Sequence, residues 1–207
     1  MKTFDIMWDW DDVIQALAKQ LHIKAHEMGL HDNTKEALEV WHGWLQYEVA
    51  KEKWLEVFDA LLFDGWYHNG PLIPGVVDQM RRLKDAGHRN HILTARGFMA
   101  HGDYIRSATY TQIQNNDVPV DTVTFDMDKV NGMITALGGW TSPDARPSFD
   151  YAIDDGPHNY EALDRAGVNV ILLEVPHNKQ WRLDNPDART VPSVDAFVDL
   201  ILKEGAA

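Results

Sequence analysis

From about residue 76 to the C-terminus, short apolar runs alternate with segments of helical period, and that alternation leaves few folds open. "GVVDQMRRLKDAG" reads as a helix closed by a glycine turn, and a strand follows at about 90–94. Next come a helix around 102–115, a strand around 120–125 ("VDTVTF"), and a helix from Lys129 to about Leu137. "FDYAID" is a strand ending at Asp154, "HNYEALDRAG" a helix, "VNVILLEV" a strand and "SVDAFVDLILKE" a closing helix. At the N-terminus, "TFDIMW" (3–8) supplies one more buried strand. Strands separated by helices pair in parallel through crossovers, so the expected class is α/β. The expected architecture is a Rossmann-like parallel sheet with helices on both faces.

Residues 15–70 interrupt this rhythm. From Val13 the period becomes helical: Ile14, Leu17, Ala18, Leu21, Ala25 and Met28 share a face, and Gly29 supplies a stop. "NTKE" (33–36) is a helix start with Asn33 as cap, and a Trp-rich helical stretch is expected to run on to about Phe63. "DGWYHNGPLIPG" then breaks it. A chain of 207 residues suits one core with an insertion. The expected division is 1–14 and 71–207 as the core, with 15–70 as a small helical cap inserted after the first strand.

Composition narrows the function classes. A net charge of −13 argues against general nucleic-acid binding and means that an anionic substrate must meet local positive charge or a metal ion. With no cysteine, thiol catalysis and cysteine zinc sites are excluded. Acids at Asp5 and Asp9 do not fit a signal peptide, and no apolar run approaches the roughly 18 residues of a membrane span. A cytoplasmic protein is expected.

Ligands of open α/β sheets bind outside the carboxyl ends of the strands. Here the first strand runs into "DWDD" (Asp9, Asp11, Asp12) and the second ends in Thr94-Ala95-Arg96. Lys129 follows the third, and the fourth ends in Asp154-Asp155. Clustered carboxylates stay ionised together only around a cation, and hard oxygen ligands favour Mg2+. One carboxylate can attack a phosphoryl group, and another two residues on can protonate the departing oxygen. A hydroxyl, backbone amides and a lysine can hold and balance the phosphate.

Ordered in this way, the four segments resemble the motifs of the haloacid dehalogenase-like superfamily. "DWDDV" is similar to its first motif, "HILTARG" to its second, and "YAIDDGPHN" to its acidic fourth. Lys129, the only lysine between Thr94 and Asp154, is the candidate for the third. The resemblance implies Asp9 as nucleophile, Asp11 as acid/base, Thr94 binding phosphate, and Lys129 stabilising the phosphate. Ala95 and Arg96 are further phosphate-binding candidates, with Arg96 equally open to pairing with a surface acid. It also implies Mg2+ held by Asp9, the Asp11 carbonyl, and Asp154 or Asp155. Asp12 stands where the family usually has glycine; a role in capping the helix beginning at Val13 is favoured over a metal role. "PHN" (176–178) after the last long strand is similar to the 5'(3')-deoxyribonucleotidase-like family, which implies a small phosphorylated substrate, a nucleoside monophosphate first. The phosphatase module of phage-type polynucleotide kinases shares a similar fourth motif. A polynucleotide 3'-phosphatase, a small-metabolite phosphatase and a silent binding module are therefore the alternatives.

Some residues stay open at this level. Trp41, Trp44, Trp54 and Trp66 read mainly as packing, with one or two free to face the cleft. His22 and His26 read as a wet helix face, and Arg81, Arg82 and Lys84 as a basic cluster on a helix surface. His177 and Asn178 are candidates to line the cleft.

Overall fold

The computed structural model describes residues 2–31, 37–98, 101–136 and 149–206. Six parallel strands form one sheet in the order β3-β2-β1-β4-β5-β6. They are β1 (Asp5–Trp8), β2 (Arg89–Thr94), β3 (Thr122–Phe125), β4 (Tyr151–Asp154), β5 (Asn169–Leu173) and β6 (Thr190–Val191). β1 lies between β2 and β4, where the winding direction reverses, so its carboxyl end opens into a crevice. Trp8 is in register with Ile92 on one side and Ile153 on the other, so the polar ends of all three strands emerge together.

Both faces of β1 are buried, which explains its unbroken apolar run. Ile6 and Trp8 pack with Met80 and Leu83 of α5 (Val76–Asp85) and with Phe197 and Ile201 of α10 (Val194–Gly205). Met7 faces the other way, into a cluster with Met133 of α7 (Lys129–Ala136) and Leu163 of α8 (Pro157–Arg165). One polar residue is built into the first face. Asn90 is fully buried; its carbonyl accepts from the Trp8 indole at 3.0 Å, and its amide donates to the carbonyls of Met80 and Pro119 at 2.9 Å.

Between β1 and α5 lie α1 (Leu17–Glu27), α2 (Gly43–Gln46), α3 (Lys51–Phe63) and α4 (Trp66–Asn69). Leu21, Trp54, Leu61, Trp66 and Tyr67 form a separate apolar cluster with Ile105 and Ala108 of α6 (Gly102–Asn115). The segments entering and leaving these helices run side by side: Ile73 N–H donates to the Ile14 carbonyl at 2.8 Å, and Gln15 bridges Leu72.

The structure departs from the sequence expectation in this region. The first helix starts at Leu17, not Val13, because Val13 and Ile14 are fully buried in the sheet core and residues 10–15 make a tight turn closed by Asp12 N–H on the Gln15 carbonyl. Asp12 carries that turn in the left-handed region, at φ 57°. The expected helix to Phe63 is broken between α2 and α3, and Gly43 sits flush on the Trp54 ring, where a Cβ would meet it at 2.2 Å. The Asn33 cap lies outside the described residues. His22 is buried, not wet, and hydrogen-bonds Tyr47.

Asn90→Ala is expected to cost about 3 kcal/mol, because it strands the Trp8 indole N–H and two carbonyls in the core. Chemical denaturation that gave a midpoint equal to wild type would contradict this.

Candidate active site

At the carboxyl end of β1, Asp9 is buried, and its Oδ1 accepts from the Trp10 amide at 2.7 Å and from Lys129 Nζ at 2.6 Å. Lys129 opens α7, behind β3, and reaches back across the sheet end. Its ammonium also donates to the Leu93 carbonyl at 2.5 Å and lies 3.7 Å from Asp154 Oδ2. Asp154, at the end of β4, is fully buried and held by the Gly156 amide at 2.8 Å and the Asn159 side chain at 3.0 and 3.1 Å. Asp155 Oδ2 hydrogen-bonds His177 Nε2 at 2.7 Å, and its backbone carbonyl accepts from Asn178. Carboxylate oxygens of Asp9, Asp154 and Asp155 lie within 4.8 Å of one another.

The electrostatics follow from the geometry. Burial, reinforced by Asp154 and Asp11 against the pull of Lys129, pushes the Asp9 carboxyl up to about 7. Burial and the neighbouring Asp154 and Asp9 drive Asp155 well above the ordinary carboxylate value. For Lys129, burial disfavours the ammonium, but Asp9 and Asp154 outweigh it and the net shift is upward. One ammonium cannot neutralise three carboxylates. Among the described residues Asp155 Oδ1 is buried without a hydrogen-bond partner. A hard, all-oxygen donor set with one unmatched oxygen fits a small divalent cation such as Mg2+.

Thr94 is fully buried at the end of β2 and accepts the Arg96 amide on its hydroxyl at 3.2 Å, while Ala95 between them is exposed. The Arg96 guanidinium meets the Asp11 carboxylate, with Nε 3.1 Å from Oδ1 and 3.0 Å from Oδ2, and Nη2 2.5 Å from Oδ1. Asp12 does bond a helix N-terminus, but that of α1: its carboxylate accepts the Ala18 amide at 3.0 and 3.1 Å. Trp54 and Trp66 are packed inside. Trp41 instead stands 42% exposed, its ring centroid 4.9 Å from that of His158 and 5.2 Å from that of His177, beside the acidic cluster. Arg81, Arg82 and Lys84 are each paired to an acid (Asp78, Asp199 and Asp121) and form no free basic strip.

Sequence reasoning passed over Asn159 and Gln15. Asn159 carried a faint signal, as an amide in the first turn of the helix after Asp154-Asp155; Gln15 carried none.

A haloacid dehalogenase-like family hydrolase of Streptococcus pneumoniae superposes with a TM-score of 0.62 at 13% identity, over 91% of this chain and 92% of the other. The fold is that of the haloacid dehalogenase-like hydrolases. D,D-heptose 1,7-bisphosphate phosphatase of Burkholderia thailandensis shares this haloacid dehalogenase-like fold, with a TM-score of 0.54 at 14% identity over 97% and 99% of the two chains. A curated Oceanobacillus iheyensis protein, provisionally named a nucleotidase, is 23% identical over 136 residues, which span 65% of this chain and 64% of that relative's length. No protein-family model matches the chain.

Asp155→Asn is expected to raise the unfolding temperature of the metal-free protein at pH 8. A carboxyl whose folded pKa lies above its unfolded value of 3.8 costs nothing below that value and progressively more as pH rises. Thermal scans in EDTA should therefore show a gain of several degrees at pH 8 that vanishes near pH 4. No gain at pH 8 would mean that the carboxylates are not in conflict.

Proposed function

We propose that the chain is a Mg2+-dependent phosphomonoester hydrolase working through an aspartyl-phosphate on Asp9, with nucleoside monophosphates as the leading substrates. The contact between buried Asp9 and buried Lys129, beside Asp154 and Asp155, carries this reading. Asp9 attacks phosphorus through a carboxylate oxygen, the ester P–O bond breaks, and Asp11 gives the departing oxygen its proton. Water then attacks the acyl-phosphate, Asp11 takes a proton from it, and Asp9 is regenerated with release of phosphate. Lys129, held as an ammonium, offsets the charge that Asp9 and the phosphoryl oxygens share. In this reading Thr94 and the Ala95 amide supply donors to the remaining phosphoryl oxygens, while the Arg96 amide is spent on the Thr94 hydroxyl.

Asp9, Asp154 and Asp155, with the Asp11 carbonyl, are the residues that would hold Mg2+. When bound, the ion supplies the positive charge that lets these acids stay ionised beside an anionic ester. Residues 15–70 act as the cap, and 1–14 with 71–207 as the catalytic core. Trp41, standing over His158 and His177, gives the cap a flat surface for a planar leaving group. The provisional name of the Oceanobacillus relative agrees with a nucleotide. The pairing of Arg81, Arg82 and Lys84 with acids, together with the charge of −13, counts against polynucleotide ends.

A phosphate-release screen over nucleoside 5'- and 3'-monophosphates, sugar phosphates and 3'-phosphorylated oligonucleotides, with Mg2+ or with EDTA, tests the reading. Turnover should need Mg2+ and be highest on a nucleoside monophosphate; full activity in excess EDTA would refute the metal site. Asp9→Asn should lower kcat at least about a thousandfold with the fold intact. Trp41→Ala should raise KM for the nucleotide about tenfold and leave a sugar phosphate unaffected; an equal change for both would remove the stacking role.

A further inference from the structure

Arg96 is a cation enclosed in the protein interior and committed to one carboxylate. It is 5% exposed, and its guanidinium carbon lies 5.4, 5.8 and 5.2 Å from the ring centroids of Trp10, Trp66 and Tyr67. Two of its nitrogens grip Asp11, and Nη2 also donates to Gln15 Oε1 at 2.8 Å. The remaining nitrogen, Nη1, is buried without a partner among the described residues and does not reach solvent. A guanidinium walled by rings on several sides cannot swing out to meet a phosphate without dismantling its box. Gln15 in turn donates to the Gly70 carbonyl at 2.9 Å, at the other end of the helical insertion. Asp11 itself is a quarter exposed, and its Oδ2 accepts one of these bonds where Oδ1 accepts two. The less encumbered oxygen is thus held at a fixed position.

We propose that Arg96 is a positioning residue that fixes the Asp11 carboxylate for proton transfer to the leaving group and ties it to the helices of residues 17–69. This assignment rests on the acid/base role of Asp11 given above and differs from direct binding of phosphate by Arg96. For the step to balance, Asp11 takes up a proton from solvent on Oδ2, giving up the single Nε bond there while Oδ1 keeps its bonds to Arg96. That proton moves to the ester oxygen as the P–O bond breaks, the attacking water later returns one, and Arg96 exchanges none.

Arg96→Lys keeps the charge but loses the fork that grips both oxygens, and Arg96→Gln removes both. The readout is kcat/KM, which covers the steps up to departure of the leaving group, on a nucleoside monophosphate and on 4-nitrophenyl phosphate. The nitrophenolate departs without needing a proton. For either variant, the value for the nucleotide should fall on the order of 10²-fold and that for the aryl ester less than about tenfold. Inhibition by inorganic phosphate should be unchanged. In an Asp11→Asn background, Arg96→Lys should add no further loss specific to the nucleotide. Equal losses on both esters, or weakened inhibition by phosphate, would overturn the positioning role and make Arg96 a phosphate ligand. If Arg96→Gln fails to fold, Arg96→Lys decides by the same criteria. Full nucleotide turnover by Asp11→Asn would remove the acid/base reading itself and this assignment with it. Loss of function on Asp9→Asn alongside flat behaviour of the Arg96 variants would leave the hydrolase reading standing and end only this one.

Discussion

The buried contact between Lys129 and Asp9 is the interaction on which the site depends. Burial alone would neutralise both groups, since each loses its hydration. At 2.6 Å from Asp9, Lys129 is held as an ammonium and pulls Asp9 back toward the carboxylate, and Asp154 strengthens the hold on the lysine while opposing the ionisation of Asp9. The balance is incomplete, because three acids face one ammonium. Among the described residues Asp155 Oδ1 is left without a hydrogen-bond partner, and the oxygen set of Asp9, Asp154 and Asp155 fits a small divalent cation. A core optimised for stability alone would not assemble such a group.

The parallel sheet makes the contact possible. β1 sits at the point where the winding reverses, and its register with β2 and β4 brings Asp9, Thr94 and Asp154 out at neighbouring strand ends. Helices on both faces then exclude water from the sheet up to that edge. The helical insertion is joined to the core by two paired chain segments, and its aromatic residues reach the site at two places. Trp41 stands over the acidic end, and Trp66 with Tyr67 encloses Arg96 on the side of Asp11. The insertion is thereby structurally continuous with the Asp11 carboxylate and not merely laid over it.

The alternation of period 2 and period 3.6 exposed the sheet and its helices, because burial on both faces forces apolar runs that polar loops interrupt. The charged groups around the strand ends were legible for a related reason: strand propensity does not call for Asp9 and Asp154 at two strand ends together with Lys129 at the start of a following helix. The start of α1 was misjudged because Val13 and Ile14 fit a helical face as well as they fit the sheet core, and pattern alone cannot say which core takes them. His22 and the break between α2 and α3 were hidden by the same ambiguity, since a packing partner such as Tyr47 or the Trp54 ring is set by tertiary contact.

What the sequence determined by itself was the order of the first five strands, the helices that cross between them from α5 onward and the closing helix, and the identity of the charged groups at the strand ends, all of which local periodicity and residue chemistry encode. It missed the short β6 (Thr190–Val191) before that helix. Only the tertiary structure decided who meets whom. It joined Arg96 to Asp11 and Gln15, set Asn159 on Asp154 and His177 on Asp155, and left Trp41 outside the apolar cluster of the helical insertion. Those pairings join residues that in most cases lie far apart in the chain, and their energies depend on burial and direction. Neither quantity exists until the chain has closed around them.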